Sequence, residues 1–186
     1  MANTSRFSKP RQQRTDEFDQ VIVDIARVTR VMAGGKRMRF RACVLVGDRK
    51  GRVGTAVAKG ADVTLAVNKA ATKARKQLIN VPVVRETIPH RVDCKFGAAR
   101  VMIKPAPKGT GVIAGGAMRL VFDLAGISNV VAKSLGSKNK INNVRATIEA
   151  LKRLKHVEVK QPVGQKKQPK TDAPQPQPAV AIEQQP

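Results

Sequence analysis

The segment from Lys104 to Arg119, KPAPKGTGVIAGGAMR, constrains the fold more than any other part of the chain. Pro105 and Pro107 fix φ and cannot donate the hydrogen bonds of a sheet, so a strand has to end there. The glycines that follow permit backbone conformations closed to other residues, and they indicate a loop. A helix over residues 117–125 is expected next, ending at Gly126. The segment therefore predicts a strand, a glycine loop and a helix in succession.

This predicted loop is suited to holding an anion. The unpaired backbone N–H groups at the start of the predicted helix, and the positive end of its dipole, would point back at the loop. Lys104, Lys108 and Arg119 would surround it with positive charge. The glycine spacing does not fit a Rossmann loop, and the Lys-Ser/Thr pair of a P-loop and the carboxylates needed for phosphoryl transfer are missing. The pattern therefore argues against nucleotide catalysis.

The charge of the chain predicts which anion it binds. The 186 residues include 36 Lys and Arg against 13 Asp and Glu, a net charge of +23. Most of this excess lies between residues 19 and 157, where it would oppose folding unless a polyanion offset it. Nucleic acid is the expected partner. An acidic membrane surface is the weaker alternative, because the sequence shows no amphipathic anchor helix and no apolar run of membrane-spanning length.

The aromatic content of the chain indicates which kind of nucleic acid it is expected to bind. The chain has 5 Phe, no Trp and no Tyr, and Phe40 and Phe122 occupy core-like positions in their patterns. Proteins that bind single strands by stacking need exposed aromatic side chains, which are scarce here. Structured RNA or a duplex, bound through phosphates and shape, is therefore the expected target.

The sequence offers no support for metal or catalytic chemistry. Cys43 and Cys94 fit no metal-ligand spacing and are expected to be reduced thiols packed as small apolar side chains. His90 and His156 have no second ligand at a suitable spacing. We therefore expect no enzyme activity, no metal and no cofactor. Because no signal peptide is apparent, a cytoplasmic location is expected.

Residues 18–81 predict a first domain with a three-stranded antiparallel sheet and one helix. The Gly34-Gly35 pair is a hairpin turn signal between the first two strands. Lysines at 69, 73 and 76 line one side of the helix without an acidic residue nearby in sequence, so phosphate contact is expected. The predicted strands cover 20–33, 38–46 and 52–59, and the predicted helix covers 62–79.

Residues 82–157 predict a second, two-layer α/β domain with two helices, so the fold class is α+β. Its predicted strands cover 86–94, 99–104 and 129–135, and its helices cover 117–125 and 143–155. Residues 1–17 are interpreted as a basic N-terminal arm, and residues 158–186 as a disordered Pro/Gln-rich tail.

These motifs together resemble bacterial small-subunit ribosomal protein five. The resemblance runs in order from residue 20 to residue 155 and is most specific in GTGVIAGGAMR, residues 109–119. It is also carried by VGD followed by GRVG within 46–54, by KSLGS at 133–137 and by NVRATIEAL at 143–151. Two departures concern Ala56 and Ala58, where the family has glycines, and Lys140, where it has proline.

The resemblance implies a first domain like a double-stranded-RNA-binding domain and a second domain whose fold is shared with some small-molecule kinases. It also implies a structural protein that binds small-subunit rRNA, stabilises the head of the subunit against the body and contributes to translational accuracy. Ribosomal proteins four and eight would be neighbours, and no homo-oligomer is expected. The alternatives are a free-standing double-stranded-RNA-binding regulator and a relic of a phosphotransferase.

The residues expected to bind rRNA are cations, loop glycines and polar turn residues. They are Arg27, Arg30, Gly34, Gly35, Lys36, Arg37, Arg39, Lys50, Arg52, Lys59, Lys69, Lys73, Lys76, Lys104, Lys108, Gly109, Gly111, Gly115, Gly116, Arg119, Lys133, Ser137, Lys138, Asn139 and Arg145.

Overall fold

The structure, a computed structural model, describes residues 17–155. These residues form two four-stranded sheets and three helices, which confirms the predicted α+β class. The predicted N-terminal arm, except its last residue, and the predicted C-terminal tail lie outside the described residues. The strands are β1 Asp19–Met32, β2 Gly35–Gly47, β3 Arg52–Gly60, β4 Ile79–Asn80, β5 Val92–Phe96, β6 Ala99–Pro105, β7 Val112–Ile113 and β8 Val130–Ser134, and the helices are α1 Val63–Arg75, α2 Gly116–Ala125 and α3 Lys140–Lys152.

The first sheet is antiparallel with the strand order β1-β2-β3-β4. β1 and β2 form a long hairpin whose turn uses Gly34 and Gly35, the latter with φ +122°. The sequence predicted three strands, whereas the structure adds β4, in which Ile79 pairs with Val53. Because the chain must turn back to make this pairing, α1 ends at Arg75 and does not continue to residue 79.

Strand β2 is buried on both faces. Ala42, Val44 and Val46 alternate along the strand and pack under α1. Leu45 points to the opposite face and is also fully buried, within the core of the second sheet. A strand with two buried faces indicates that the first sheet lies between α1 and the rest of the molecule.

The second sheet has the order β5-β6-β8-β7, with α2 and α3 packed on one face. The predicted strand over 86–94 begins only at Val92, because residues 84–87 form a tight turn closed by Val84 and Thr87. The short strand β7, parallel to β8, was not predicted. None of the helices between residues 17 and 155 is long and apolar enough to cross a membrane.

Helix α3 begins three residues before the predicted start. The Asn139 side chain caps it by accepting a hydrogen bond from the Ile141 amide at 3.0 Å. Asn143, the predicted first residue, is instead buried inside the helix, and its Nδ2 donates to the carbonyl oxygen of Ser137 at 3.0 Å. The polar turn before the helix is therefore fixed at both ends by Asn side chains.

The two sheets are joined where the β2–β3 turn docks on the end of α2, a contact we call the joint. The Arg49 amide donates to the carbonyl of Leu124 and the Gly51 amide to that of Ala125, both at 3.0 Å. A side chain at Gly126, which has φ +75°, would overlap the carbonyl of Arg49. The joint therefore requires glycine at this position.

Gly126→Ala should lower the free energy of unfolding by about 2–4 kcal/mol, because a Cβ forces the β2–β3 turn away from α2 and the backbone is in the left-handed region. Chemical denaturation of the full chain measures the change. Gly116→Ala is the control, since its Cβ meets nothing within 4 Å and it starts a helix. Equal stability of the two variants would show that the joint does not hold the two sheets together.

Candidate nucleic-acid interface

The predicted rRNA-binding residues lie on five surfaces of the molecule. Each predicted cation is exposed. The five surfaces are the β1–β2 hairpin, the β2–β3 turn, helix α1, the open face of the second sheet with the glycine loop beside it, and the start and outer side of α3.

The hairpin carries a basic groove. Arg30 lies opposite Arg37, and Val28 lies opposite Arg39, so these side chains share one face of the hairpin. Together with Lys59 on β3 they line a groove of about 260 Å³. Arg27 lies on the other face, where its Nη2 contacts the sulfur of Met38. The groove thus gathers four of the predicted cations, and its described lining contains no acid.

The β2–β3 turn presents Lys50 and holds Arg52. The Asp48 carboxylate accepts hydrogen bonds from the amides of Lys50 at 2.8 Å and Arg52 at 3.0 Å, and from Arg52 Nε at 2.5 Å. Arg52 also lies over the Phe18 ring at 5.1 Å. Because its guanidinium is engaged within the protein, Arg52 fixes the turn, whereas Lys50 is an exposed cation of the turn that a partner could contact.

Asp48 is charged at neutral pH although its side chain is only 3% exposed. Burial of the carboxyl works to raise its pKa, but the hydrogen bonds from Arg52 and from the two backbone amides outweigh burial and lower the pKa. The charged carboxylate therefore stabilises the folded turn.

Helix α1 presents Lys69, Lys73 and Lys76 to solvent while Ala66, Ala70, Ala71 and Ala74 face the sheet. Lys73 also lines the cleft between α1 and α3. The three lysines are therefore exposed along one side of the helix, as the sequence predicts.

The open face of the second sheet is basic. In its register Lys95 lies opposite Arg100, and Lys133 lies opposite Met102, with Lys104 two residues farther along β6. These four cations are exposed, while Val101, Ile103 and other alternate residues are buried under α2 and α3. Sequence reasoning identified Lys104 and Lys133 but missed Lys95 and Arg100. The alternation of β6 could have found Arg100, since it shares a face with Lys104.

The glycine loop is held from behind by Asn129, which is 3% exposed. Its Oδ1 accepts hydrogen bonds from the amides of Gly109 at 3.0 Å and Gly111 at 3.1 Å. These two glycines have φ of +93° and +73°. The expectation that the glycine-lined backbone would face an anion is wrong for these two amides, because they are satisfied within the protein.

The cations of the loop are also partly engaged. Arg119 Nη2 donates to the carbonyl of Val112 at 3.1 Å, and Lys108 Nζ lies 3.9 Å from a carboxylate oxygen of Glu86. Gly115 and Gly116 remain exposed, and α2 starts there without a side-chain cap. The loop therefore presents three features to solvent. These are Lys104 and Lys108 at its edges and the uncapped start of α2.

Two residues of the turn before α3 that were predicted to bind rRNA, Ser137 and Asn139, stabilise the turn and the start of the helix. Ser137 Oγ accepts from the Asn139 amide at 3.1 Å, and Asn139 caps the helix. Lys138 is the exposed cation of this turn. Arg145, farther along α3, lies over the Phe96 ring at 5.7 Å.

Both cysteines are buried and unpaired. Burial raises the pKa of the Cys43 thiol and of the Cys94 thiol, so both are neutral at pH 7. Among residues 17–155 no group of His, Cys, Asp and Glu could hold a metal ion.

Comparison with known proteins adds to this geometry. A family model described as "Ribosomal protein S5, N-terminal domain" matches residues 18–82, and one described as "Ribosomal protein S5, C-terminal domain" matches residues 94–163. "Small ribosomal subunit protein uS5c" from Spinacia oleracea is 51% identical over 150 residues, 80% of this chain and 49% of the relative. The protein of the same name from Cyanophora paradoxa is 48% identical over 156 residues, 83% of this chain and 92% of the relative. The chain thus spans about half the length of the spinach protein.

Asp48→Asn should lower the free energy of unfolding at neutral pH by about 1–2 kcal/mol, because a neutral side chain accepts weaker hydrogen bonds. The folded pKa of Asp48 lies below the unfolded value of 3.8, so its charge stabilises the fold fully above that value and the stabilisation is lost as pH falls through the folded pKa. The difference between the variant and the native chain should therefore be constant down to about pH 5 and close at lower pH.

Denaturation curves at a series of pH values test this dependence on Asp48. Asp93→Asn is the matched control, because Asp93 is about half exposed and pairs with Arg91 on the surface, and it should change stability by less than about 0.5 kcal/mol. A difference for Asp48→Asn that persists unchanged at the lowest pH would contradict the electrostatic explanation.

Proposed function

The chain belongs to the ribosomal protein S5 family, and we propose from this membership that it is a structural constituent of the small ribosomal subunit. In this role it binds small-subunit rRNA and neighbouring ribosomal proteins and has no enzymatic activity of its own. Its location is the ribosome. Both relatives are named as proteins of the small ribosomal subunit, which supports the proposal.

The observation that carries the proposal is the arrangement of uncovered basic surfaces on one rigid body. The hairpin groove and the open face of the second sheet each gather four cations, contributed by neighbouring strands. The joint and the shared core fix the two sheets to one another. A rigid body with two basic surfaces can neutralise the phosphates of two RNA segments and hold the angle between them.

The finer parts of the proposal follow from the family resemblance. The protein stabilises the head of the subunit against its body, it contacts ribosomal proteins four and eight, and it contributes to translational accuracy. The hairpin tip at Gly34 to Arg37 reaches toward the neck of the subunit, and the glycine loop lies near rRNA and protein four. The cytoplasm remains the predicted compartment.

A free-standing double-stranded-RNA-binding regulator is less well supported by the fold. Such a protein would need only residues 20–80. In the structure, however, Leu45 and Val53 of this part are fully buried in the core of the second sheet. Removal of the second sheet would expose these side chains to water, so the two halves act as one unit.

Gradient sedimentation of a cell lysate, followed by detection of the protein, tests the proposed function. At high magnesium concentration the protein should comigrate with intact ribosomes, and at low magnesium with the dissociated small subunit. If the protein stayed at the top of the gradient, or spread across all RNA, it would not be an integral component of the subunit.

Gly111→Val should reduce assembly of the small subunit or raise the error rate of decoding. A Cβ at Gly111 meets nothing within 4 Å, so the effect arises from backbone strain at φ +73°, which displaces the loop from Asn129. Subunit profiles and a misreading reporter in cells that carry the variant measure both outcomes.

Thr110→Val is the matched control for this variant. It places the same side chain on the preceding residue of the same loop, where φ is not positive and a branched side chain is already present. Both readouts should stay normal with this control. Normal assembly and normal accuracy with Gly111→Val would remove the loop from a functional role.

A further inference from the structure

A cleft between the two halves of the molecule is not explained by the surfaces described above. It has a volume of about 520 Å³ and is lined by β3, the end of α1, residues 77–79, Phe96 and α3. Pockets of roughly 300–1,000 Å³ are typical of sites for small organic groups. The cleft is therefore large enough to take a group the size of a nucleotide.

The chemistry of the cleft is amphipathic and cationic. Its inner surface includes Cys43, Ala56 and Ile148, which are buried. Its cations come from both halves of the molecule, Lys73 from α1 and Arg145 and Lys152 from α3. Among the residues within 17–155 that line the cleft, Glu149 is the one acid. An apolar floor with an excess of positive charge favours a ligand that combines a flat apolar part with an anionic part.

Arg145 supplies a planar surface within this cleft. Its guanidinium carbon lies 5.7 Å from the centre of the Phe96 ring, and both residues line the cavity. An arginine supported by an aromatic ring keeps a defined orientation, and RNA-binding proteins stack unpaired bases on guanidinium planes. Phe96 is half-buried, so it differs from the fully buried Phe122.

We propose that the cleft binds one unpaired nucleotide of small-subunit rRNA, with its base stacked on the Arg145 guanidinium and its phosphate held by Lys73 and Lys152. The proposal rests on the proposed function, because the RNA is the rRNA to which the protein binds. It also departs from the expectation that the chain binds RNA without base stacking. The two lysines stand on different halves of the molecule, so the nucleotide bridges them.

Arg145→Lys separates stacking from charge, since lysine keeps the positive charge and loses the plane. The affinity of the full chain for a small-subunit rRNA transcript should fall roughly 5- to 150-fold, the loss expected for one stacked base. The slope of affinity against salt concentration should stay unchanged, because the number of neutralised phosphates is the same. Lys152→Gln should instead reduce the slope by about one.

Two further variants control the experiment. Phe96→Leu keeps apolar packing but removes the ring under Arg145, and it should reproduce the loss of affinity. Arg91→Lys, at an exposed arginine paired with Asp93 outside the cleft, should leave the affinity unchanged. Chemical probing of the transcript should show one base that the native chain protects and that the Arg145→Lys variant leaves reactive.

The outcomes distinguish this proposal from the proposed function. If the native chain failed to bind the transcript specifically, the proposed function would be wrong. If the native chain bound it and Arg145→Lys bound equally well, no rRNA nucleotide would stack in the cleft and the proposal would be overturned. Titration with AMP examines the other source of a nucleotide, and tight AMP binding by the native chain, with rRNA affinity insensitive to Arg145→Lys, would overturn the RNA-borne assignment.

Discussion

The joint between the β2–β3 turn and the end of α2 is the contact on which the rest of the structure depends. Two backbone hydrogen bonds and two glycines, Gly47 and Gly126, bring main chain against main chain, because a Cβ at either glycine would overlap its neighbour. This close approach lets Leu45 and Val53 enter the core of the second sheet. The fold is thus two sheets with one interior, and each basic surface has a fixed direction relative to the others.

The local elements were predictable because their signals are local. The alternation of β2, the glycines of the hairpin turn and the αL residue Gly126 each act within a few residues, and the structure has the corresponding strand, turn and helix end. The sequence-based predictions missed features that depend on residues distant in sequence. β4 and β7 are two-residue strands that exist only through pairing with β3 and β8, and burial of Leu45 depends on a partner sheet that its own strand pattern does not reveal.

The candidate site also has a part that could be predicted from the sequence and a part that could not. Exposure of the cations was predictable from their alternation and helical spacing, whereas their grouping required the sheet register, which places Lys95 and Arg100 beside residues distant in sequence such as Lys133. The glycine loop shows the limit of motif reasoning. Its glycines and nearby cations have the composition of an anion site, but Asn129, eighteen residues beyond Gly111, takes up the amides. Positive φ values are required there to present those amides to the protein itself.

These features explain how a strongly basic chain can be compact and still bind a polyanion. Within residues 17–155, three acidic residues order the backbone or the glycine loop: Asp48 fixes the β2–β3 turn, Asp62 caps α1, and Glu86 lies beside Asn129 and Lys108. Three others, Asp19, Asp24 and Asp93, form ion pairs with cations outside the hairpin groove and outside the four cations of the open sheet face. They therefore neutralise few of the cations on the hairpin groove and on the open sheet face. Repulsion among those cations is opposed by the shared core and the joint, and it is relieved when phosphates bind. Within residues 17–155 the acidic residues therefore stabilise the folded chain, and the cations of the groove and of the open face remain available to phosphates.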